Sequence, residues 1–275
     1  SMVEVGEADF TFSVPEELAT TDMDVAYQNF ETIYFILGAW EAPLDDLRVR
    51  MAVNLAIDRE ALLGTILPAE TVLGTAIIGP SISGSNPDLV PHPYDPDRVT
   101  ELLEEARADG VDVDREITVM YINDRFPGSN ELVEAMALML QAAGFNARME
   151  LVESGVYREY RDEPRGEDRA VILLSRHDND KGDAGFSLTR HLCDSNRNPI
   201  CLPELDEMIQ TALATPQGPE REAAWQEVVR FMHEDVQVDA VIGHQVAFAR
   251  IGPRISYDVS GKNPSTFLIE EVTFN

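Results

Sequence analysis

The sequence predicts an α/β domain with a mostly parallel sheet and helices on both of its faces. Three observations support this fold class: predicted strands and helices alternate along the chain, one predicted strand is almost entirely apolar, and a strand–helix–strand unit lies near the middle. An apolar strand without period-two alternation is expected where helices cover both faces of a sheet. At 275 residues, the chain can form one large domain or two small ones.

The first helix is predicted within LDDLRVRMAVNLAIDREALL, residues 44–63. Its apolar residues recur at the three-and-four spacing of a buried helix face, and four polar residues fall outside that face, namely Arg48, Arg50, Asn54 and Arg59. Asp45 or Asp46 can accept hydrogen bonds from its first amides. Asp58 can cap a second helix over residues 61–63, so we interpret it as an N-cap at a helix–helix corner.

The next elements form the strand–helix–strand unit. Asp95-Pro96 begins a helix, with aspartate as the cap and proline in the first turn. ITVMYI at 117–122 is a predicted strand, Ser129 or Asn130 caps a helix that extends to Gln141, and NARMELVE returns as a second strand. Parallel strands joined in this way form a right-handed crossover.

The second half begins with RAVILLS at 169–175, which is the apolar strand. A polar loop follows it. LPELDEMIQTALA and EREAAWQEVVRFMHED are then predicted as two helices separated by TPQGP, and VDAVIGHQVAFARI as a strand or a pair of strands.

The charge balance restricts the classes of partner. The chain has 50 acidic and 21 basic residues, for a formal net charge of −29. Such a chain repels nucleic-acid phosphates and anionic lipid surfaces, so we expect neither as a partner. No apolar run reaches the roughly 18 residues of a membrane span, and no signal peptide is visible.

The two cysteines, Cys193 and Cys201, enclose the short loop DSNRNPI. They lack the additional cysteines or histidines of a zinc site. In an exported protein they can form a local disulfide worth on the order of 2–3 kcal/mol, and two free buried thiols are the alternative.

Two loops follow predicted strands at the edge where ligands collect in open α/β sheets. NDRFPGS places Arg125 at the end of one strand, and RHDNDKGDAG places four candidates after another, namely His177, Asp178, Asp180 and Asp183. A guanidinium binds a carboxylate and a carboxylate binds an ammonium, so the loops together could hold both ends of a zwitterion. A solvated acidic loop beside an exposed arginine is the alternative.

Metal binding and catalysis find less support. DNDKGD differs from a calcium loop, because Gly182 and Thr189 stand where oxygen ligands are needed. His177, His191 and Asp183 match no known metal-ligand spacing, so we predict no metal and no cofactor. GPSISGS is not a nucleophile elbow, and no acidic pair is singled out among 50 acids. A hydrolase-like enzyme with a carboxylate pair, or an interaction domain, remains the alternative function.

Several segments resemble the dipeptide- and oligopeptide-type (family 5) extracellular solute-binding proteins of ABC importers. PLDDLRVRMAVNLAIDREALL is similar to their segment after the first interlobe crossing, where the family usually has glutamine in place of Met51. Three further segments match in the same order along the chain, namely VGEADF at 5–10, YDPDRVTELLEEA at 94–106 and YINDRFPGSNELVEAMALMLQAAGFNARMEL at 121–151.

The resemblance implies a periplasmic-binding-protein-like (class II) lobe in a binding protein rather than an enzyme. Residues 1–40 would be a remnant of the N-terminal lobe with the first hinge crossing, 41–245 the C-terminal ligand-binding lobe, and 246–275 the second crossing and return segment. The partners would be a peptide or other small solute, the missing N-terminal lobe and the ABC permease subunits. The location would be extracytoplasmic, in the periplasm or, as a lipoprotein, at the cell surface.

The resemblance also assigns roles to the loop residues. Arg125 would anchor the carboxylate of the ligand and Asp180 its amine, with Asp183 in support. This loop is one residue longer than the D-x-x-D-P pattern of relatives, and Ala184 replaces the proline, so Asp178 is the alternative amine anchor.

Overall fold

The computed structural model describes residues 1–166, 168–179, 181–259 and 267–275. The strands within these ranges are β1 (Phe10–Val14), β2 (Asp24–Leu37), β3 (Val72–Leu73), β4 (Ile117–Tyr121), β5 (Ala147–Leu151), β6 (Ala170–Asp178), β7 (Asp239–Ile251), β8 (Ile255–Ser256) and β9 (Thr273–Phe274). The α-helices are α1 (Leu47–Leu55), α2 (Pro96–Ala108), α3 (Ser129–Ala142), α4 (Ser154–Arg161), α5 (Ala184–Leu188), α6 (Pro203–Ala214) and α7 (Pro219–Phe231). Single 3-10 turns occur at Glu16–Leu18, Glu60–Leu62, Thr189–His191 and Ile269–Glu271, and a π-turn at Met232–Val236.

The central sheet has seven strands in the order β1-β7-β2-β6-β4-β5, with β3 also paired to β7. Among the described strands, the parallel pairings are β4–β5 and β4–β6, whereas the pairings of β2 and β7 are all antiparallel. The predicted mostly parallel sheet is therefore wrong, and the sheet is mixed. Apolar runs predict strands but not their direction, and the two longest strands, β2 and β7, pair with each other in antiparallel orientation.

The strand residues alternate between two apolar cores, one on each face of the sheet. Ile33 and Phe35 of β2 point into the first core, which α1, α2 and α3 cover, and Tyr34 and Ile36 point into the second, under α4, α6 and α7. The apolar strand β6 divides its residues in the same way. Its lack of polar alternation therefore results from burial on both faces. No helix in the described part of the chain is both long and apolar enough to cross a membrane.

The helix starts agree with the sequence at two positions and differ at a third. Asp46 accepts from the amide of Arg48 at the start of α1, and Asp95 accepts from the amide of Arg98 at the start of α2. The predicted Ser129 or Asn130 cap of α3 is wrong, because Gly128 is the N-cap residue and has a φ of +78°. A Cβ at Gly128 would also lie 2.7 Å from the carbonyl oxygen of Ile66, so close backbone packing and φ both favour glycine.

The predicted second helix is a single 3-10 turn whose N-cap residue is Arg59, so the predicted N-cap position is wrong, but the Asp58 carboxylate does accept from an amide of that turn. Its Oδ1 accepts from the amide of Ala61 at 3.1 Å. The prediction for Arg50, Asn54 and Arg59 is wrong, because all three are buried. The Nε atoms of Arg50 and Arg59 donate to carbonyl oxygens at and before β7, those of Val236 and Val241. Arg50 of α1 and Arg59 in the turn after it therefore connect this segment to β7 and to the residues just before it.

Replacing Asp58 with alanine should lower the free energy of unfolding by about 1 kcal/mol, since one amide of the turn loses its acceptor. Urea unfolding measures this change. Asp58→Asn, which retains an acceptor oxygen, is the matched control and should unfold close to the original midpoint. An unchanged midpoint in Asp58→Ala would contradict the capping role.

Strands β2 and β7 together form a neck between two parts of the sheet. From Thr32 to Ile36 β2 pairs with both β6 and β7, whereas for Asp24 to Gln28 the described pairing is with β7 alone. The β2–β7 register shifts between Gln28 and Thr32. Beyond the shift, β1 joins β7, and a small aromatic cluster containing Phe10, Phe12, Tyr27 and Tyr257 covers this end.

Candidate functional site

A cleft of about 170 Å³ lies beside the carboxyl end of β6, on the face of the sheet that α4 covers. It is lined by residues of β2, the loop after β4, α4, the end of β6, α5 and the turn after it, the loop between the two cysteines and the start of β7. Five of the lining residues are arginines, namely Arg125, Arg161, Arg176, Arg190 and Arg197. In a chain with a formal charge of −29, this concentration of guanidinium groups favours an anionic ligand.

Arg125 lies where the sequence predicts it, in the loop after β4. Its guanidinium carbon is 5.2 Å from the centre of the Tyr157 ring, a cation–π arrangement. Tyr157 is itself held by a 2.8 Å hydrogen bond from its hydroxyl to the carbonyl oxygen of Leu174. The buried Nε of Arg125 has no hydrogen-bond partner, and the side chain forms no ion pair with any residue that the structure describes. Arg125 can therefore bind a carboxylate bidentately.

The acidic residues predicted after β6 do not all lie in the cleft. Asp178 is exposed at the end of β6 and lines the cleft. Asp180 lies outside the described residues. Asp183 is absent from the described cleft lining, because its carboxylate caps α5 at the amide of Gly185 and lies 3.2 Å from Arg221. The structure thus places Asp178 in the same cleft as Arg125, the predicted carboxylate anchor. Asp183 instead stabilises the start of α5 and pairs with Arg221.

His177 lines the cleft but both of its ring nitrogens contact the protein. Its Nδ1 lies 2.5 Å from Nη2 of Arg190, and its Nε2 lies 2.8 Å from Oγ of Ser187. Burial, followed by the positive charge of Arg190, lowers the pKa of His177 to about 2. Its imidazole is therefore neutral at pH 7 and positions Arg190.

Sequence patterns did not identify several cleft residues, among them Tyr34, Arg190 and Asp239. Tyr34 and Asp239 belong to β2 and β7, which pair only through long-range contacts, and Arg190 lies in a turn that folds back over β6. His191 is buried, and its Nε2 lies 3.0 Å from Oδ2 of Asp239 without hydrogen-bond geometry. Only two of the 21 basic residues are lysines. This preference for arginine is a sequence signal that could have suggested a carboxylate-binding site, because a planar guanidinium binds a carboxylate through two parallel hydrogen bonds.

Cys193 and Cys201 form a disulfide with a Cα–Cα distance of 4.7 Å. The loop that they close carries Arg197 and Pro199, both of which line the cleft. Within the described residues, no group of three or more histidine, cysteine or acidic side chains could hold a metal ion.

Comparison with known proteins identifies the family. Residues 1–197 match the model described as "Bacterial extracellular solute-binding proteins, family 5 Middle". The dipeptide-binding protein of Escherichia coli (strain K12) is 27% identical over 225 residues, which are 78% of this chain and 40% of that protein. The nickel-binding periplasmic protein of the same organism is 26% identical over 227 residues, covering 76% and 42% of the two chains.

Solved structures share the fold. The ABC transporter substrate-binding protein CtaP from Listeria monocytogenes superposes with a TM-score of 0.81 at 14% identity, over 99% of this chain and 57% of that one. OppA from Haemophilus influenzae, in complex with RPPGFSPFR, superposes with a TM-score of 0.73 at 19% identity, over 99% and 55%. The chain spans about 40% of the length of these sequence relatives and just over half of the length of these solved structures.

These matches agree with the prediction of a solute-binding protein rather than an enzyme, and with an α/β fold of the periplasmic-binding-protein type whose sheet is mixed. The family model covers well over half of the chain, from residue 1 to residue 197. The chain belongs to the family 5 bacterial extracellular solute-binding proteins.

Proposed function

We propose that this chain is the C-terminal ligand-binding lobe of the substrate-binding component of an ABC importer for peptides or a related small solute. The observation that carries the proposal is the unpaired Arg125, held on Tyr157 in a cleft at the carboxyl edge of the sheet. An N-terminal lobe would close over this cleft, and the loaded protein would dock on the permease subunits. We propose that the protein binds its solute outside the cytoplasm, either in the periplasm or at the cell surface on a lipid anchor.

The neck of β2 and β7 supports the proposed division of the chain. Both strands extend beyond the part of the sheet that carries the cleft, and the register shift between Gln28 and Thr32 separates the two parts. Residues 1–28 and 246–275 would then connect to the N-terminal lobe, whereas residues 32–40 of the proposed first crossing pack in the part of the sheet that carries the cleft, together with the proposed lobe 41–245.

The ligand groups follow from the chemistry of the cleft. Arg125 would bind the carboxylate of a peptide or amino acid, since its guanidinium has no carboxylate partner in the described chain. Asp178 is the described acidic residue of the loop that reaches the cleft, so it is the candidate for binding an ammonium group. Asp180 remains a candidate from the sequence, and His177 contributes by orienting Arg190. The named ligands of relatives include dipeptides and nickel, and Arg125 favours the peptides.

Replacing Arg125 with alanine should weaken peptide binding by about 10- to 100-fold in a protein that also contains the upstream lobe, because a hydrogen bond to a charged group contributes about 1.5–3 kcal/mol. Calorimetry against a panel of di- and tripeptides measures the change. Arg107→Ala is the matched control, because Arg107 is an exposed arginine that pairs with Asp114 at the end of α2. Equal affinities of the Arg125→Ala variant and the original protein would refute the role of Arg125.

A further inference from the structure

Arg190 is a second cleft arginine without a carboxylate partner. It lies in the 3-10 turn Thr189–His191 and is half-buried. Its Nε donates to the carbonyl oxygen of Ser187 at 3.1 Å, Nη1 to the hydroxyl of Tyr34 at 2.5 Å, and Nη2 to Nδ1 of His177 at 2.5 Å. All three acceptors are neutral, and no described acidic side chain forms an ion pair with it. The positive charge of Arg190 is therefore not neutralised by the described protein.

A directed chain of hydrogen bonds fixes this guanidinium. Because a guanidinium can only donate, Nδ1 of His177 accepts, so Nε2 carries the proton and donates to Oγ of Ser187. The Ser187 hydroxyl donates in turn to Oδ1 of Asn179 at 2.7 Å. Asn179 then donates from Nδ2 to the carbonyl oxygens of Phe30 and Ile77. The side-chain donors of His177, Ser187 and Asn179 are all used, so this chain fixes the orientation of Arg190 at the cleft.

The other cleft arginines already have acidic partners. Arg161 binds Asp162 at 2.7 Å, Arg197 lies 3.5 Å from the same carboxylate, and Arg176 binds Glu31 at 3.1 Å. Arg125 and Arg190 are the two that lack one among the residues described. A guanidinium carries five N–H donors, and Arg190 spends three on the protein, which leaves two for a ligand.

We propose that the solute carries two acidic groups, one bound by Arg125 and the other by Arg190. This inference rests on the proposed function and specifies the class of solute. A partly buried charge without a counterion is costly, and a ligand carboxylate at each guanidinium removes that cost on binding. Asp178 and Asp239 also line the cleft, so a dicarboxylate that carries one ammonium group, such as an acidic dipeptide, fits its charges.

The first test uses this chain and a matched pair of probes, succinate and its monoamide succinamate, at equal ionic strength. Succinate at about 50 mM should raise the unfolding temperature by about 2–4 °C more than succinamate does, because a ligand that binds only the folded state stabilises it by mass action. Arg190→Gln and Arg125→Gln should each abolish the difference, and Arg107→Gln, at the exposed end of α2, should retain it. Equal shifts with both probes in the original chain, or a preserved difference in both cleft variants, would overturn the proposal.

The second test uses the protein that includes the upstream lobe and separates this inference from the proposed function. The dipeptide Ala-Glu should bind about tenfold or more tightly than Ala-Gln, since only the former has a second charged acceptor, and Arg190→Gln should reduce the ratio to about one. If Ala-Gln binds as tightly as Ala-Glu, solute binding stands and the second anion site does not. If neither peptide binds while succinate still stabilises the chain, peptide transport fails and the two-anion cleft stands.

Discussion

We expect this chain alone to bind peptides no more tightly than about 1 mM, and the same chain joined to the proposed N-terminal lobe to bind them at least about a hundredfold more tightly. In the proposed single lobe, the cleft that holds Arg125 and Asp178 is open to solvent, and a charge pair that water reaches contributes no more than about 1 kcal/mol. Closure of a second lobe excludes water and strengthens each electrostatic contact.

Calorimetry of both proteins against one peptide panel measures the difference. A cooperative thermal transition of the chain alone serves as the control, because it shows that weak binding is not caused by unfolding. The shared-cleft hypothesis fails if the chain alone binds a peptide with micromolar affinity. It fails equally if addition of the upstream lobe leaves the affinity unchanged.

Replacing Arg59 with alanine should lower the free energy of unfolding by about 3–5 kcal/mol, since buried acceptors lose their donors and a cavity opens. Arg59 is 3% exposed. Its Nε donates to the carbonyl oxygen of Val241 at 2.7 Å, Nη1 to that of Asn54 at 2.8 Å, and Nη2 to Oδ1 of Asn54 at 2.9 Å. Burial lowers the pKa of Arg59 to about 10, so it remains charged at pH 7.

Three variants separate the causes of this loss in urea unfolding. Arg59→Met retains much of the volume and removes every donor, so a large loss in this variant assigns the effect to the hydrogen bonds. Arg59→Lys retains a positive charge but lacks the forked donors and should be intermediate. Arg107→Ala removes an exposed arginine and should unfold near the original midpoint. An Arg59→Ala midpoint equal to that of Arg107→Ala would show that the contacts with β7 do not stabilise the fold.

The elements of the fold followed from local patterns, whereas their connections did not. The caps Asp46 and Asp95 and the apolar strand β6 depend on neighbours in sequence or on burial, and both leave a signal in the order of residues. Strand direction depends on which strands meet, and β2 pairs with β7 across more than 200 residues. The burial of Arg59 has the same origin, because its acceptor at Val241 is 182 residues away. Helical spacing alone placed this arginine outside the buried face.

The site residues, too, could be predicted only where their role depends on neighbours in sequence. Arg125 could be predicted because a residue that follows a strand of a parallel pair lies at the edge where ligands collect. Asp183 has the same sequence signal, yet it caps α5 and contacts Arg221 of α7, a partner 38 residues away. Arg190 has no local signal, since its role depends on Tyr34 and His177, which two other strand segments supply.

The neck of β2 and β7 determines how much free energy is needed to bend one part of the sheet relative to the other. Only these two strands continue through the register shift at Gln28 and Thr32, so bending there disturbs a few interstrand hydrogen bonds, each worth about 1 kcal/mol net. A micromolar solute that contacts both parts supplies about 8 kcal/mol on binding. Only the part of this energy that the solute gains in the closed state beyond the open state shifts the population, so a solute that contacts both parts only on closure would couple occupancy to the closed state.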